Sequence, residues 1–317
     1  MSEVNSAATA HTATPTDAGS VPVSPREWPV WLGIGLLWLL ARLPWGLQRS
    51  LGRGMGTLLR TLMSSRRKVA QRNLELTFPD LTKDARDNLV REHFAALGIS
   101  LFEFSRAWWG SIAPLQRNLE IEGLENLMNA VNNGKGVILV SGHFTTLEVC
   151  GRLLTHYLPV AGMYRPYSSK AMEWAVKRGR LRYAAAMFQK TEMRPAVKHL
   201  KQGGVLWYAP DQDPSRGDTV FVDFFGVPAN TLASTHQLAR LSGSTVICFT
   251  HRRREDGSYH LALSKPLDPY PTKDATQDTA AIIQAIEHMA RQAPEQYLWI
   301  HRRFKRQPDG RNLYADS

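Results

Sequence analysis

Cysteine is all but missing: Cys150 and Cys248 are the only two in 317 residues, and each lies inside an apolar segment. That excludes a disulfide framework and a cysteine metal site, and two buried free thiols suit a reducing, cytosolic compartment. Acidic residues are also scarce, with 28 Asp and Glu against 39 Lys and Arg, a formal net charge of +11. The excess is clustered, as Arg66-Arg67-Lys68, Lys177 to Arg182, Arg252-Arg253-Arg254 and Arg302 to Arg306. Such clusters predict an anionic partner: nucleic acid, anionic lipid headgroups, phosphorylated substrates or an acidic carrier protein. The clusters do not interleave with aromatics as stacking platforms do, and no reading-helix signature is present, which argues against nucleic acid. No internal repeat at a fixed period occurs, and the zinc-helix pattern H-E-x-x-H is absent.

Residues 1–26 have almost no large apolar side chains and are rich in Ser, Thr, Ala, Pro and Gly. They cannot offset their own ordering entropy, which predicts a disordered polar tail. Residues 27–48 are the opposite, since "WPVWLGIGLLWLLARLPWGLQ" runs uncharged from Trp28 to Ala41 and contains one Arg42. A bilayer core needs roughly 20 apolar residues as helix, so this segment is just long enough to span if Arg42 snorkels. Its four tryptophans, Trp28, Trp31, Trp38 and Trp45, equally suit a helix lying in the headgroup layer, and both readings stay open as an N-terminal membrane-anchoring helix. A signal peptide fits less well, because the preceding tail is long and polar and no small-residue cleavage site follows. Arginines crowd the downstream side of the segment, and the positive-inside rule then keeps residues 49–317, the main domain, in the cytoplasm.

Beyond an amphipathic helix over residues 84–109, strands and helices alternate. "GKGVILVSG" (Gly134 to Gly142) and "GVLWYAPDQ" (Gly204 to Gln212) read as buried strands, and "PVAGMYRP" (Pro159 to Pro166) as a strand ended by proline. Helices are predicted over Leu147 to Tyr157, Ala171 to Arg182, Ala196 to Lys201, Thr231 to Leu241 and Asp278 to Gln292. "STVICFTHR" and "SYHLALS" bracket a turn at Gly257 as a strand pair. The order predicts an α/β fold whose mixed, largely parallel central sheet is flanked by helices.

In such sheets ligands bind beyond the carboxyl ends of the strands. "SGHFTTLE" puts His143 at one such end, after Gly142 and before a helix that Thr145 or Thr146 can cap. His143 and Glu148 then form a candidate acid-base pair, provided His143 lies before regular helix begins, since a five-residue step inside one helix would put them about 140° apart. The plain alternative is that Thr145-x-x-Glu148 is a capping box and Glu148 bonds back to the helix's first amide. As metal ligands the two are poor, because no second His or Cys lies at ligand spacing.

H-F-T-T-L-E resembles the H-x4-D/E motif of membrane glycerolipid acyltransferases. From Trp28 to Tyr314 the chain is similar to the late, or secondary, acyltransferases of lipid A biosynthesis, lauroyl-type rather than myristoyl-type. The likeness is carried by "RRKVAQRNLELTFP", "SGHFTTLE", "MYRP", "RGRLR", "VLWYAPDQD", "FVDFFG" and "APEQYLWIHRRFKRQPDG" in that order. The resemblance implies transfer of a fatty acyl chain from acyl carrier protein to the 3-hydroxyl of a hydroxyacyl chain on a Kdo-bearing lipid A precursor, at the inner membrane and without a cofactor. An alcohol needs a base to take its proton as it attacks, and histidine as a residue type suits that task. Glu148, held ionised at a helix N-terminus, would fix the imidazole tautomer. Attack on the thioester would be direct, without an acyl-enzyme, since neither Cys150 nor a nearby serine has a base of its own.

The resemblance also marks Arg165 of "MYRP" as a group that meets the acceptor's anions and Asp211 of "APDQD" as a support of the acceptor site. Arg178, Arg180 and Arg182 of "RGRLR" follow as further cationic candidates, aimed one way if extended, with Arg178 and Arg182 sharing a face if helical. Each has a plainer reading, a basic surface for the arginines and a proline-flanked turn for Asp211. "FVDFFG" lines an acyl channel or simply belongs to the core. "HRRFK" is either a docking segment or an exposed basic stretch. Two rivals remain: a phospholipid or glycolipid acyltransferase using the same dyad, and a basic membrane-bound binding protein without catalysis.

Overall fold

The computed structural model describes residues 19–315, so most of the predicted polar tail, residues 1–18, lies outside the described residues. Its last residues are placed. Trp31 donates through its indole to the Pro22 carbonyl at 2.8 Å, and a single 3-10 turn spans Pro25–Glu27.

Four helices follow: α1 (Trp28–Leu40), α2 (Trp45–Leu62), α3 (Ser64–Thr77) and α4 (Lys83–Trp109). The apolar run Trp28 to Gln48 is therefore split. Pro44 disfavours helix at Leu43 and lacks the N–H that would continue it. Gln48 turns inward, donates to the carbonyls of Leu40 and Leu43 at 2.8 and 2.9 Å, and accepts from Arg106 Nε, satisfying groups the broken helix leaves bare. With 13 residues α1 extends about 20 Å, short of a hydrocarbon core of about 30 Å. No helix among the described residues is long and apolar enough to cross a membrane, so the spanning alternative for this segment gains no support. Behind it α2 crosses α4 at near-contact of the backbones. A Cβ on Gly98 would lie 2.1 Å from the Gly52 carbonyl oxygen and 2.3 Å from Gly56 N.

After α4 the order is α5 (Ala113–Gln116), β1 (Glu120–Glu122), α6 (Leu124–Asn132), β2 (Val137–Val140), α7 (Leu147–Leu154), β3 (Ala161–Tyr164), α8 (Lys170–Arg180), β4 (Met187–Gln189), α9 (Met193–Lys201) and β5 (Val205–Tyr208). The chain closes with β6 (Thr219–Phe224), β7 (Val227–Leu232), α10 (Ser234–Ser242), β8 (Thr245–Arg253), β9 (Tyr259–Leu263) and α11 (Ala275–Gln292). Seven strands form one sheet in the order β1-β9-β8-β2-β5-β3-β4. All its pairs are parallel except the hairpin β8/β9, so the predicted largely parallel sheet flanked by helices is what the chain forms.

The strands are uniformly apolar because both faces are covered. Along β2, Ile138 and Val140 join one apolar cluster, with Phe94, Leu206 and Ile286, while Val137 and Leu139 join another, with Leu153, Ile247 and Phe249. Cys150 and Cys248 are both buried and unpaired, as their apolar surroundings predict.

Two sequence expectations change. The helix expected from Thr231 starts only at Ser234, because Thr231 and Leu232 end β7. "FVDFFG" forms β6 of a separate two-stranded hairpin that turns tightly at Phe225-Gly226, both at positive φ, as the twist of a two-residue hairpin loop requires. Phe224 and Phe225 pack into the main core against Tyr297 and Trp299, which answers the acyl-channel alternative for these two rings.

Candidate active site

β2 and β5 are hydrogen-bonded neighbours, with Val140 in register with Tyr208. His143 and Asp211 each lie three residues beyond that pair, so the register itself brings them face to face at the carboxyl ends of adjacent strands. Asp211 Oδ2 accepts from the His143 backbone N–H at 2.8 Å, and Asp211 Oδ1 lies 2.6 Å from His143 Nδ1. Gly142 permits this approach, since a Cβ there would meet Ile286 at 2.8 Å and Phe144 at 3.0 Å.

Asp211 is buried. Burial pushes its carboxyl upward, but the His143 imidazole and its two hydrogen bonds, helped by Arg303, more than reverse this and hold it at about 2. An ionised carboxylate on Nδ1 keeps the proton there and leaves Nε2 to face outward as the basic nitrogen. The imidazole side chain is 30% exposed, and among the described residues its Nε2 has no hydrogen-bond partner.

Glu148 does something different. It lies on the first turn of α7 with 3% exposure, and its carboxylate accepts from Arg180 Nη2 at 2.7 Å and Nε at 2.9 Å, Tyr183 Oη at 2.7 Å and Trp108 Nε1 at 2.6 Å. Burial raises this carboxyl, and Arg180 together with the other donors lowers it further than burial raises it. The expected hydrogen bond from Glu148 to His143 is absent among the described residues, and so is the capping box. Thr146 occupies the N-cap position without a side-chain capping bond, and Thr145 Oγ1 is buried without a partner. The four donor contacts from α4, α8 and the turn after it turn Glu148 away from both.

The other expected residues separate. Arg180 points inward to Glu148, whereas Arg178 is exposed over the Trp174 ring at 5.1 Å and Arg182 donates to the Trp108 carbonyl. Arg165 is exposed just past β3 and makes no hydrogen bond or ion pair among the described residues. Glu120, Glu122 and His260 bring ligand-type atoms within 4.8 Å of one another at the far β1/β9 edge. Glu122 is already paired with His260 at 3.1 Å and Glu120 with Arg254, so they form an ion-pair cluster far from His143.

The sequence profile of the bacterial lipid A biosynthesis acyltransferases matches residues 22–306, almost the whole described chain. The chain belongs to that family. It is 39% identical over 288 residues to the lipid A biosynthesis palmitoleoyltransferase of Escherichia coli (strain K12), covering 90% of this chain and 94% of that one. It is 38% identical, with the same coverage, to the lipid A biosynthesis lauroyltransferase of the same organism. Identity to that organism's myristoyltransferase falls to 23% over 291 residues, in keeping with the lauroyl-type resemblance.

Sequence patterns missed how much of the acyltransferase's centre comes from "YLWIHRRFK". Arg303 of that stretch is fully buried, not exposed, donating to the Asn230 carbonyl at 2.7 Å and to Thr231 Oγ1 at 2.6 Å. It stands behind Asp211 as a fixed positive charge. Tyr297 also lies against Asp211, and burial, reinforced by that carboxylate, drives its phenol well above the ordinary value. His301 accepts from Asp213 N and is held neutral, lowered to about 4 by burial. The segment is tied to the His143 loop by backbone bonds from Thr145 N to Gln296 O and Leu298 N to His143 O. The two-residue spacing of Tyr297, Trp299, His301 and Arg303 is the signal in it that one side faces inward.

Proposed function

We propose that this acyltransferase moves a fatty acyl chain from acyl carrier protein to a hydroxyl of a hydroxyacyl chain on a Kdo-bearing lipid A precursor, with His143 as general base. The observation that carries this is the His143–Asp211 pair, an imidazole with one nitrogen tied to a buried carboxylate and the other facing the crevice. His143 Nε2 takes the proton of the acceptor hydroxyl as its oxygen attacks the thioester carbonyl. Asp211 fixes the tautomer and stabilises the imidazolium, the part the sequence assigned to Glu148. The tetrahedral oxyanion needs donors, and the unpartnered Thr145 hydroxyl and Trp207 indole N–H beside His143 are suited to supply them. Collapse of the intermediate expels the carrier thiolate, which recovers the proton from His143, leaving an ester and a free thiol. Arg180 is committed to Glu148, so the exposed Arg165 is the freer of the two arginines to meet an acceptor phosphate or carboxylate.

The enzyme works at the cytoplasmic face of the inner membrane, held by the headgroup-level alternative for residues 27–48. Supporting this, Trp28, Leu32, Leu36 and Leu39 of α1 and Leu51, Leu58 and Leu62 of α2 are all exposed. Flotation with anionic vesicles tests the anchor: wild type rises with the vesicles, and a Leu32→Glu/Leu36→Glu variant that rises equally would refute it. The activity is tested with purified enzyme, labelled acyl carrier protein and two acceptors, the Kdo-bearing precursor and a lysophospholipid. Transfer to the precursor is expected for wild type and is lost in His143→Ala. Transfer to the lysophospholipid alone would establish the phospholipid rival, and an unaffected His143→Ala would remove the base.

A further inference from the structure

α7 does not close fully against the sheet. Between them lies a small open-mouthed cavity of about 70 Å³, room for a few methylenes, walled by apolar side chains including Leu154, Val160, Met163 and Phe249. Charge enters its lining only at Glu148 and Arg180, which neutralise each other. Trp207 connects the cavity to the reaction centre, since its ring forms part of the wall and also packs edge-on to His143 with centroids 6.4 Å apart.

Two glycines face this space from opposite walls, Gly151 on α7 and Gly162 on β3. A Cβ on Gly162 would crowd Met187 Sδ at 3.2 Å and Cε at 3.3 Å, so the wall there is already closed to within a methyl group. Gly151 is different. A Cβ added to it would meet nothing within 4 Å, and its φ is not left-handed, so neither packing nor backbone conformation calls for glycine. Glycine in a helix interior destabilises the helix relative to alanine, and this one leaves open space at the cavity's lining where a side chain could stand.

We infer that this cavity receives the methyl end of the transferred acyl chain and that Gly151, opposite Gly162 and Met187, sets the longest chain accepted. The inference rests on the acyl-transfer reading above and deepens it. A thioester carbonyl held beside His143 directs its hydrocarbon past Trp207 into the apolar recess that this ring helps to wall. Each methylene that enters gains about fourfold in affinity, and each that meets a closed wall forfeits it. The two Escherichia coli relatives named for different acyl chains are nearly equally similar to this chain, so a few wall positions, not overall resemblance, must separate such preferences.

The test offers the full-length enzyme an equimolar mixture of decanoyl, lauroyl, myristoyl and palmitoyl carrier protein with the Kdo-bearing precursor, and weighs the products by mass spectrometry. Gly151→Met should lower the ratio of the longest accepted chain to the shortest by about 10-fold or more, while Gly151→Ala shifts it in the same sense by less. Both variants should melt no lower than wild type, because the helix gains propensity and nothing is displaced. An unchanged product distribution in Gly151→Met overturns the inference. A second arm does not depend on transfer: calorimetric binding of the free fatty acids should favour longer chains in wild type and lose that preference in Gly151→Met. Equal chain-length dependence in the two proteins also overturns it, whereas absence of transfer by wild type with this binding difference intact faults the acceptor or donor assignment instead.

Discussion

Asp211 and Glu148 are both buried carboxylates at the carboxyl ends of the sheet, and both stay ionised, yet their partners differ. Asp211 is held down at about 2 by an imidazole that keeps one nitrogen free for chemistry. Glu148 is held down by a guanidinium, a phenol and an indole that spend their donors on it. A carboxylate beside a half-free imidazole can tune a proton transfer, whereas one saturated by fixed donors can only brace. In the proposed mechanism the motif glutamate braces and the downstream aspartate tunes.

The sharpest way to break that contrast is Asp211→Asn. Kcat should fall by about 10²- to 10⁴-fold because the amide no longer holds the productive tautomer, and Asp211→Glu should recover part of the loss. A rise in KM alone, with kcat unchanged, would return Asp211 to a structural role. Glu148→Gln should act mainly on stability, since it leaves the Arg180 charge buried without compensation. Chemical denaturation should show a loss of about 3–5 kcal/mol. Replacing Glu148 and Arg180 together with apolar residues of similar volume should restore much of that, and activity that recovers with it would confirm bracing as the glutamate's task.

Acid unfolding gives the smallest effect and separates carboxylates from histidines. Asp211 contributes stability that is complete above the usual aspartate range and is lost only as pH falls toward about 2. Buried His251, lowered to about 3, and His93 and His301, each lowered to about 4, are neutral in the fold and protonate near pH ~6.5 once unfolded. Their contribution is whole above that pH and drains away as pH falls from ~6.5 toward 4, so the melting temperature should begin to drop well before the carboxylates titrate. His251 bridges Ser141 Oγ and Thr146 Oγ1 on either side of His143. His251→Gln should make the slope between pH 6.5 and 4 shallower by roughly a third, and an unchanged slope would assign the acid loss elsewhere.

The fold was legible because buried parallel strands advertise themselves as short apolar runs, and those at Val137, Val205 and Thr245 are unmistakable. The hairpin of β6 and β7 was not: β6 alternates in burial, with Val222 and Phe224 buried and Thr219, Phe221 and Asp223 exposed, but the apolar Phe221 on the exposed side blurs that period in the sequence. Within the site, His143 and Asp211 each stood out as a polar residue after a strand, but their pairing depends on β2 lying beside β5, a fact of sheet order separated by 68 residues of sequence. Spacing favoured Glu148 because five residues is near in sequence. The chain instead satisfies that glutamate with Trp108 and Arg180, whose distance along the chain hid them. Arg303 was misread for a related reason: a basic run looks solvated until one knows which of its members faces a carboxylate.

The backbone contact between α2 and α4 has a bearing on how lesions in this enzyme should be interpreted. Gly98 touches Gly52 and Gly56, and ten residues further along the same uninterrupted helix Trp108 grips Glu148. Any side chain placed at one of those three glycines must pry the two helices apart, and a rigid rod of about 15 Å carries that displacement to the indole. Variants there would lose turnover while touching no reactant, and would masquerade as damage to the chemistry when the fault is one of alignment.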